Sequence, residues 1–104
     1  MKQTIVALLG LSFLIGFAGN AAAADASNGE RLAKRWCASC HVVAADQKSG
    51  NTQVSPFSSI AKTPKLDAAK LAFFLLAPHP PMPDMNLTRS EAADLAAFIE
   101  TQDK

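Results

Sequence analysis

Between Thr4 and Ala18 the chain runs fifteen residues without a charge, TIVALLGLSFLIGFA, and this run decides how much protein is left to fold. Lys2 precedes it, and Gly19, Asn20 and the alanines Ala21 to Ala24 follow before Asp25. A basic start, an apolar middle and an A-x-A end are the parts of a secretory signal peptide. The run is shorter than the ~20 apolar residues that span a bilayer. No pair of arginines precedes it, so the general secretory route is expected. Cleavage is expected after Ala24, with Ala23 the next choice. The chain then divides into a signal peptide, 1–24, and one domain, 25–104, of 80 residues.

Eighty residues lie near the lower limit for a self-sufficient hydrophobic core, and domains of this size usually need a staple. Two cysteines cannot supply a disulfide framework. The length excludes a (β/α)₈ barrel or a two-domain enzyme. With Lys2 removed, nine basic and nine acidic residues remain, so bulk charge does not point to nucleic acid. The charge is nonetheless uneven. Residues 31–70 carry seven basic side chains and two acidic ones, and residues 71–104 carry two and five. Such asymmetry can orient a partner at zero net charge.

Three helices are legible. Asp25 to Trp36 carries Ser27 and Glu30 at capping-box spacing, and places Gly29, Leu32, Ala33 and Trp36 on one face. A glycine on that face suggests close approach of another element. Leu66 to Ala77 aligns Ala68, Leu71, Ala72 and Leu75, with Phe74 beside them, and Pro78 ends it. Leu87 to Gln102 opens on a second capping box, Thr88 to Glu91, with a Leu87–Ala92 staple; its stripe is Ala92, Leu95, Ala96 and Ile99, with Phe98 adjacent. Residues 42–65 have no period, and His79-Pro80-Pro81-Met82-Pro83 is expected to be stiff and extended. No window alternates as a strand does. The expected fold class is all-α, a small bundle of three to four helices.

The chemistry is concentrated in Cys37-Ala38-Ser39-Cys40-His41. Cys-x-x-Cys alone fits redox thiols, half a zinc site or haem attachment. Zinc wants about four ligands, and beyond His41 only His79 and carboxylates remain. A thioredoxin-like dithiol wants a strand entering the first cysteine, whereas here a helix does. Haem attachment accounts for every position: each thiol adds to one vinyl group, and His41 becomes the proximal iron ligand. The cofactor also supplies the apolar core that 80 residues lack.

A soft thioether is the usual sixth ligand in a c-type electron carrier. Met82 stands between Pro81 and Pro83, which preset its backbone. Met85 lies nearer the last helix, where packing is its default role, and His79 is read as a surface histidine. The candidate iron ligands are therefore His41 and Met82.

In order and spacing, Cys37-x-x-Cys40-His41, Pro80-Pro81-Met82-Pro83 and Asp94-Leu95-Ala96-Ala97-Phe98-Ile99 resemble a class I monohaem cytochrome c of the small bacterial periplasmic kind. The resemblance covers about Ser27 to Thr101. It implies one covalent haem c, a crossing of first and last helices at Gly29 and Phe98, and a His41 Nδ1 bond to the Pro56 carbonyl that fixes the ring. Ser55-Pro56 stands where the family has Gly-Pro. Family members often hold a haem propionate with Tyr or Trp. This chain has no Tyr and Trp36 is expected to pack, so Lys48, Asn51 and Gln53 are the candidates.

The implied function is a periplasmic, monomeric, non-enzymatic electron shuttle, with an electron-exit edge on the Cys37 side. Its redox partners would be a membrane quinol-oxidising complex, a terminal oxidase or a periplasmic dehydrogenase. Alternatives are a haem sensor or enzyme with a displaceable sixth ligand, an accessory subunit of a larger oxidoreductase, and a thiol–disulfide protein.

Overall fold

The structure is a computed structural model and describes residues 23–104; the signal-peptide reading falls on 1–24 and so lies almost wholly outside the described residues. Four helices appear among the described residues, and no strand: α1 Ala26–Trp36, α2 Phe57–Ala61, α3 Ala68–Leu76 and α4 Arg89–Glu100. The all-α expectation holds, with α2 added inside a stretch that shows no sequence period. Five residues make little more than one turn, too few for a repeating stripe.

The helix starts are set by side chains. Asp25, not Ser27, caps α1: its carboxylate accepts the backbone N–H groups of Ser27 and Asn28. Asp67 caps α3 by accepting Lys70 N–H at 2.8 Å. Thr88 and Glu91 form the expected capping box of α4. Each satisfies N–H groups that have no partner within the helix. Near Met82 the chain turns instead of extending, because Met82 N–H donates to the His79 carbonyl at 2.8 Å.

Helix α4 is the hub. Helices α1, α2 and α3 each pack on it and make no comparable contact with one another. Its Ala92, Leu95, Ala96, Phe98 and Ile99 are buried and form the core with Ala33, Cys37, Val43, Phe57, Leu71 and Leu75. The α1–α4 crossing is close because Gly29 is there. A Cβ at that position would lie 2.0 Å from the Asp94 carbonyl oxygen and 2.8 Å from Phe98 Cβ. The packing partner expected for Gly29 from the resemblance is thus the one found.

Candidate functional site

The Cys-x-x-Cys-His segment leaves the end of α1 as a tight turn. The Cys37 carbonyl accepts the N–H groups of both Cys40 and His41, at 3.1 and 2.8 Å. The two thiols are free and differ in setting: Cys40 is exposed, while Cys37 is 5% exposed within the core cluster. Burial pushes the Cys37 thiol up to about 11, so in this fold it is a poor nucleophile at neutral pH. The solvent-facing thiol is that of Cys40.

His41 is fixed by a neighbouring loop. Its Nδ1 lies 2.6 Å from the Ser55 carbonyl oxygen. Donation there leaves Nε2 as the nitrogen with a lone pair for a metal. The bond expected to Pro56 thus falls one residue earlier. The Pro56 carbonyl is occupied at the start of α2, where it accepts from Ser59 and Ile60 N–H. A second bond, Phe57 N–H to the Val42 carbonyl at 2.9 Å, runs beside the first and holds the two segments together. The Phe57 ring packs against His41, with centroids 5.5 Å apart, and meets Phe98 edge-on at 6.3 Å. The imidazole is thereby tied to the α1–α4 crossing.

Gln47 organises the loop below the motif, and sequence reasoning missed it. Its Oε1 accepts Val43 N–H, and its Nε2 lies within 3.0 Å of the Ala38, His41 and Ser49 carbonyls. A single Gln in a polar loop carries no signal of such a role. The loop then returns to the motif through Asn51 N–H, which donates to the Cys40 carbonyl at 2.8 Å. Gly50 fits beside that carbonyl, where a Cβ would stand 3.0 Å from its oxygen. Lys48, Asn51 and Gln53 are all exposed; Asn51 Oδ1 accepts Gln53 N–H, an internal turn contact.

Met82 is half-buried and packs against the core; Met85 is half-buried outside that set. His79 is exposed, as a surface residue would be. Trp36 departs from its expected packing role. It is 43% exposed at the end of α1, with the Arg35 guanidinium 4.8 Å from its ring centroid. On α3, Phe73 and Phe74 are 69% and 59% exposed, although Leu71 and Leu75 are buried. A groove of about 390 Å³ is lined by residues such as Val42, Ala45, Thr101 and Lys104 and includes neither thiol nor Met82. No group of three or more His, Cys, Asp or Glu side chains that could by itself hold a metal ion occurs among the described residues.

This donor set fits a haem. The chain offers two thiols three positions apart, an imidazole whose other nitrogen is already engaged, and aromatic surface on α3 that no element among the described residues covers. A small all-helical domain built around such a turn is a covalent-haem domain of the c type. A family model described as Cytochrome c matches residues 26–103. The chain is 56% identical, over 80 residues, to cytochrome c-552 of Bradyrhizobium diazoefficiens, covering 77% of each chain. No solved structure matches. The chain belongs to the cytochrome c family, in its class I monohaem branch, and covalent haem c is its cofactor. It is an electron-transfer haem protein with redox protein partners. No helix among the described residues is long and apolar enough to cross a membrane.

Proposed function

We propose that the protein is a periplasmic electron shuttle, exported by residues 1–24, in which residues 25–104 hold one haem through Cys37 and Cys40, with His41 and Met82 on the iron. The observation that carries this reading is the His41 Nδ1 contact with the Ser55 carbonyl. It orients the ring, fixes its tautomer and raises the basicity of Nε2. The bound haem supplies one-electron exchange between ferric and ferrous iron.

The chain's own residues then do four things. Cys37 and Cys40 fasten the group to the end of α1. His41 presents Nε2 under the hold of Ser55 and Phe57. Met82 is favoured over Met85 because it packs against the core and has its N–H anchored on His79. The open aromatic surface of α3 would shield the bound haem from water, which together with the ligands would set the potential. A chain that changes little between redox states needs no substrate pocket and no acid–base pair.

The basic stretch 31–70 would meet acidic surfaces on a membrane quinol-oxidising complex, a terminal oxidase or a periplasmic dehydrogenase, weakly and transiently. The working form is a monomer. Substituting the two methionines separately tests the ligation. Met82→Ala lowers the potential and opens the sixth position to carbon monoxide, whereas Met85→Ala leaves both as in wild type. An unchanged potential in Met82→Ala removes the assignment.

A further inference from the structure

We propose that the mature N-terminus is the α-ammonium group of Asp25, and that this cation pairs with the carboxylate of Asp94 to fasten the start of α1 onto α4. The inference rests on the export and processing reading above, cleavage after Ala24 included, and adds to it the ion pair that this cleavage creates.

Asp94 is the buried charged side chain among the described residues, at 8% exposure. Its Oδ1 accepts from the Asp25 backbone nitrogen at 2.7 Å, and its Oδ2 from Asn28 Nδ2 at 2.8 Å. Both oxygens are hydrogen-bonded, but by neutral groups. No Lys or Arg side chain lies within ion-pair distance of it among the described residues; the one such pair there is Lys34–Glu30. A buried carboxylate is costly without an opposing charge.

Leader cleavage supplies that charge at the same atom. Water adds across the Ala24–Asp25 peptide bond under a leader peptidase. The Ala24 carbonyl carbon takes the oxygen and leaves as a carboxylate, and the Asp25 nitrogen takes the protons and becomes an ammonium ion. The nitrogen need not move. Ala23 and Ala24 are both exposed, so a charge placed on either of them would face solvent. Cleavage one residue earlier would place the cation on exposed Ala24 and leave only an amide at Asp94. The pair therefore distinguishes the two cleavage sites that the alanine run permits.

The surrounding charges act in both directions. The positive end of α1 disfavours an ammonium group there. Against it stand Asp94 and the carboxylate of Asp25 itself, which caps α1. Arg31 reaches the cluster through Asn28 Oδ1, and Arg89 and Glu91 occupy the first turn of α4. Two carboxylates close to the nitrogen outweigh one half-charge at a helix end. If the pair forms, the folded chain holds this proton more tightly than the unfolded chain, whose α-amino group titrates at the ordinary ~7.7–8.0. A raised folded-state value means stability is full below about pH 8 and falls as pH rises through that higher value. A rise of about one unit is a tenfold change in the folding equilibrium.

The test uses holoprotein from exporting cells in three forms: wild type, Asp94→Asn, and a chain processed to begin at Ala24. Intact mass gives the first residue, and urea unfolding at pH 6.5 and pH 10 gives the equilibrium. The expected result is a wild-type chain beginning at Asp25 whose unfolding constant rises about tenfold more between the two pH values than in either variant. If Asp94→Asn does not fold, the Ala24-start chain, with all side chains intact, decides alone. A wild-type chain beginning elsewhere, or the same pH response in the Asp25-start and Ala24-start chains, overturns the proposal. Haem mass reads the electron-carrier proposal and the first residue reads this one, so the two fail separately.

Discussion

Replacing Gly29 with alanine adds one methyl group at the tightest point of the molecule. The new carbon would sit 2.0 Å from the Asp94 carbonyl oxygen and 2.6 Å from its carbon, where ordinary contact begins at 3.4 Å. These obstructing atoms are backbone, so no side chain can rotate away. Helices α1 and α4 must separate by well over an ångström. Overpacking of this kind costs ~1–3 kcal/mol. The separation also strains the two hydrogen bonds that Asp94 makes to Asp25 and Asn28, each contributing ~1 kcal/mol. Alanine returns ~0.5–1 kcal/mol through helix propensity.

The net expectation for Gly29→Ala is a loss of about 3 kcal/mol, against a total of ~4–12 kcal/mol for a domain of this length. Urea unfolding of the holoprotein, followed by helical circular dichroism, measures it directly. A melting temperature lower by roughly 10–25 °C is the thermal equivalent. Gly50→Ala is the internal comparison. Its Cβ would meet the Cys40 carbonyl oxygen at 3.0 Å and Val42 at 3.1 Å, in a loop that can shift by tenths of an ångström. Its loss is expected to be smaller. If Gly29→Ala is as stable as wild type, the helices do not approach as described and the crossing argument fails.

Thr88→Ala removes the α4 N-cap and is expected to cost ~1 kcal/mol, a fall of about 4–8 °C in melting temperature; an unchanged value would mean the Thr88–Glu91 box contributes nothing. Before thioether formation, Cys37 makes stability pH-dependent. Burial raises its pKa from 9.0 to about 11, so the unfolded chain releases the proton first and stability falls from about pH 9 to about pH 11. Urea midpoints of the haem-free chain against Cys37→Ser check this, and identical pH profiles would contradict it. Attachment removes the thiol and with it the dependence.

The parts of the fold governed by local spacing are legible in the sequence. The α4 capping box, its apolar stripe and the stop of α3 before Pro78 each depend on residues within one or two turns. What escaped depends on distant partners. Ser27 and Asp25 both suit a cap, and Asp25 prevails where Asp94, 69 positions away, takes its N–H. Helix α2 is too short to show a period, and Phe57 gains its place from Val42, His41 and Phe98. Trp36 shares a helical face with Gly29 and Ala33, yet it lies at the end of α1 and remains half open.

The candidate site divides the same way. Cys37, Cys40 and His41 stand out in the sequence because the proposed covalent attachment needs fixed spacing in a continuous segment. The carbonyl that orients His41 belongs to Ser55 and not to Pro56, because the Pro56 carbonyl is taken by the start of α2, which sequence spacing does not show. Gln47 gave no signal at all, because its four partners are backbone groups that any sequence would present.

The central claim is an electron carrier with covalent haem on Cys37 and Cys40. Its most direct test is the visible spectrum of the exported protein, oxidised and reduced, before and after denaturation with solvent extraction. The expected result is pigment that stays with the chain, a sharp reduced c-type spectrum and the weak band of methionine on ferric iron. Pigment that extracts freely, or a colourless protein, would contradict it and return Cys37 and Cys40 to thiol chemistry.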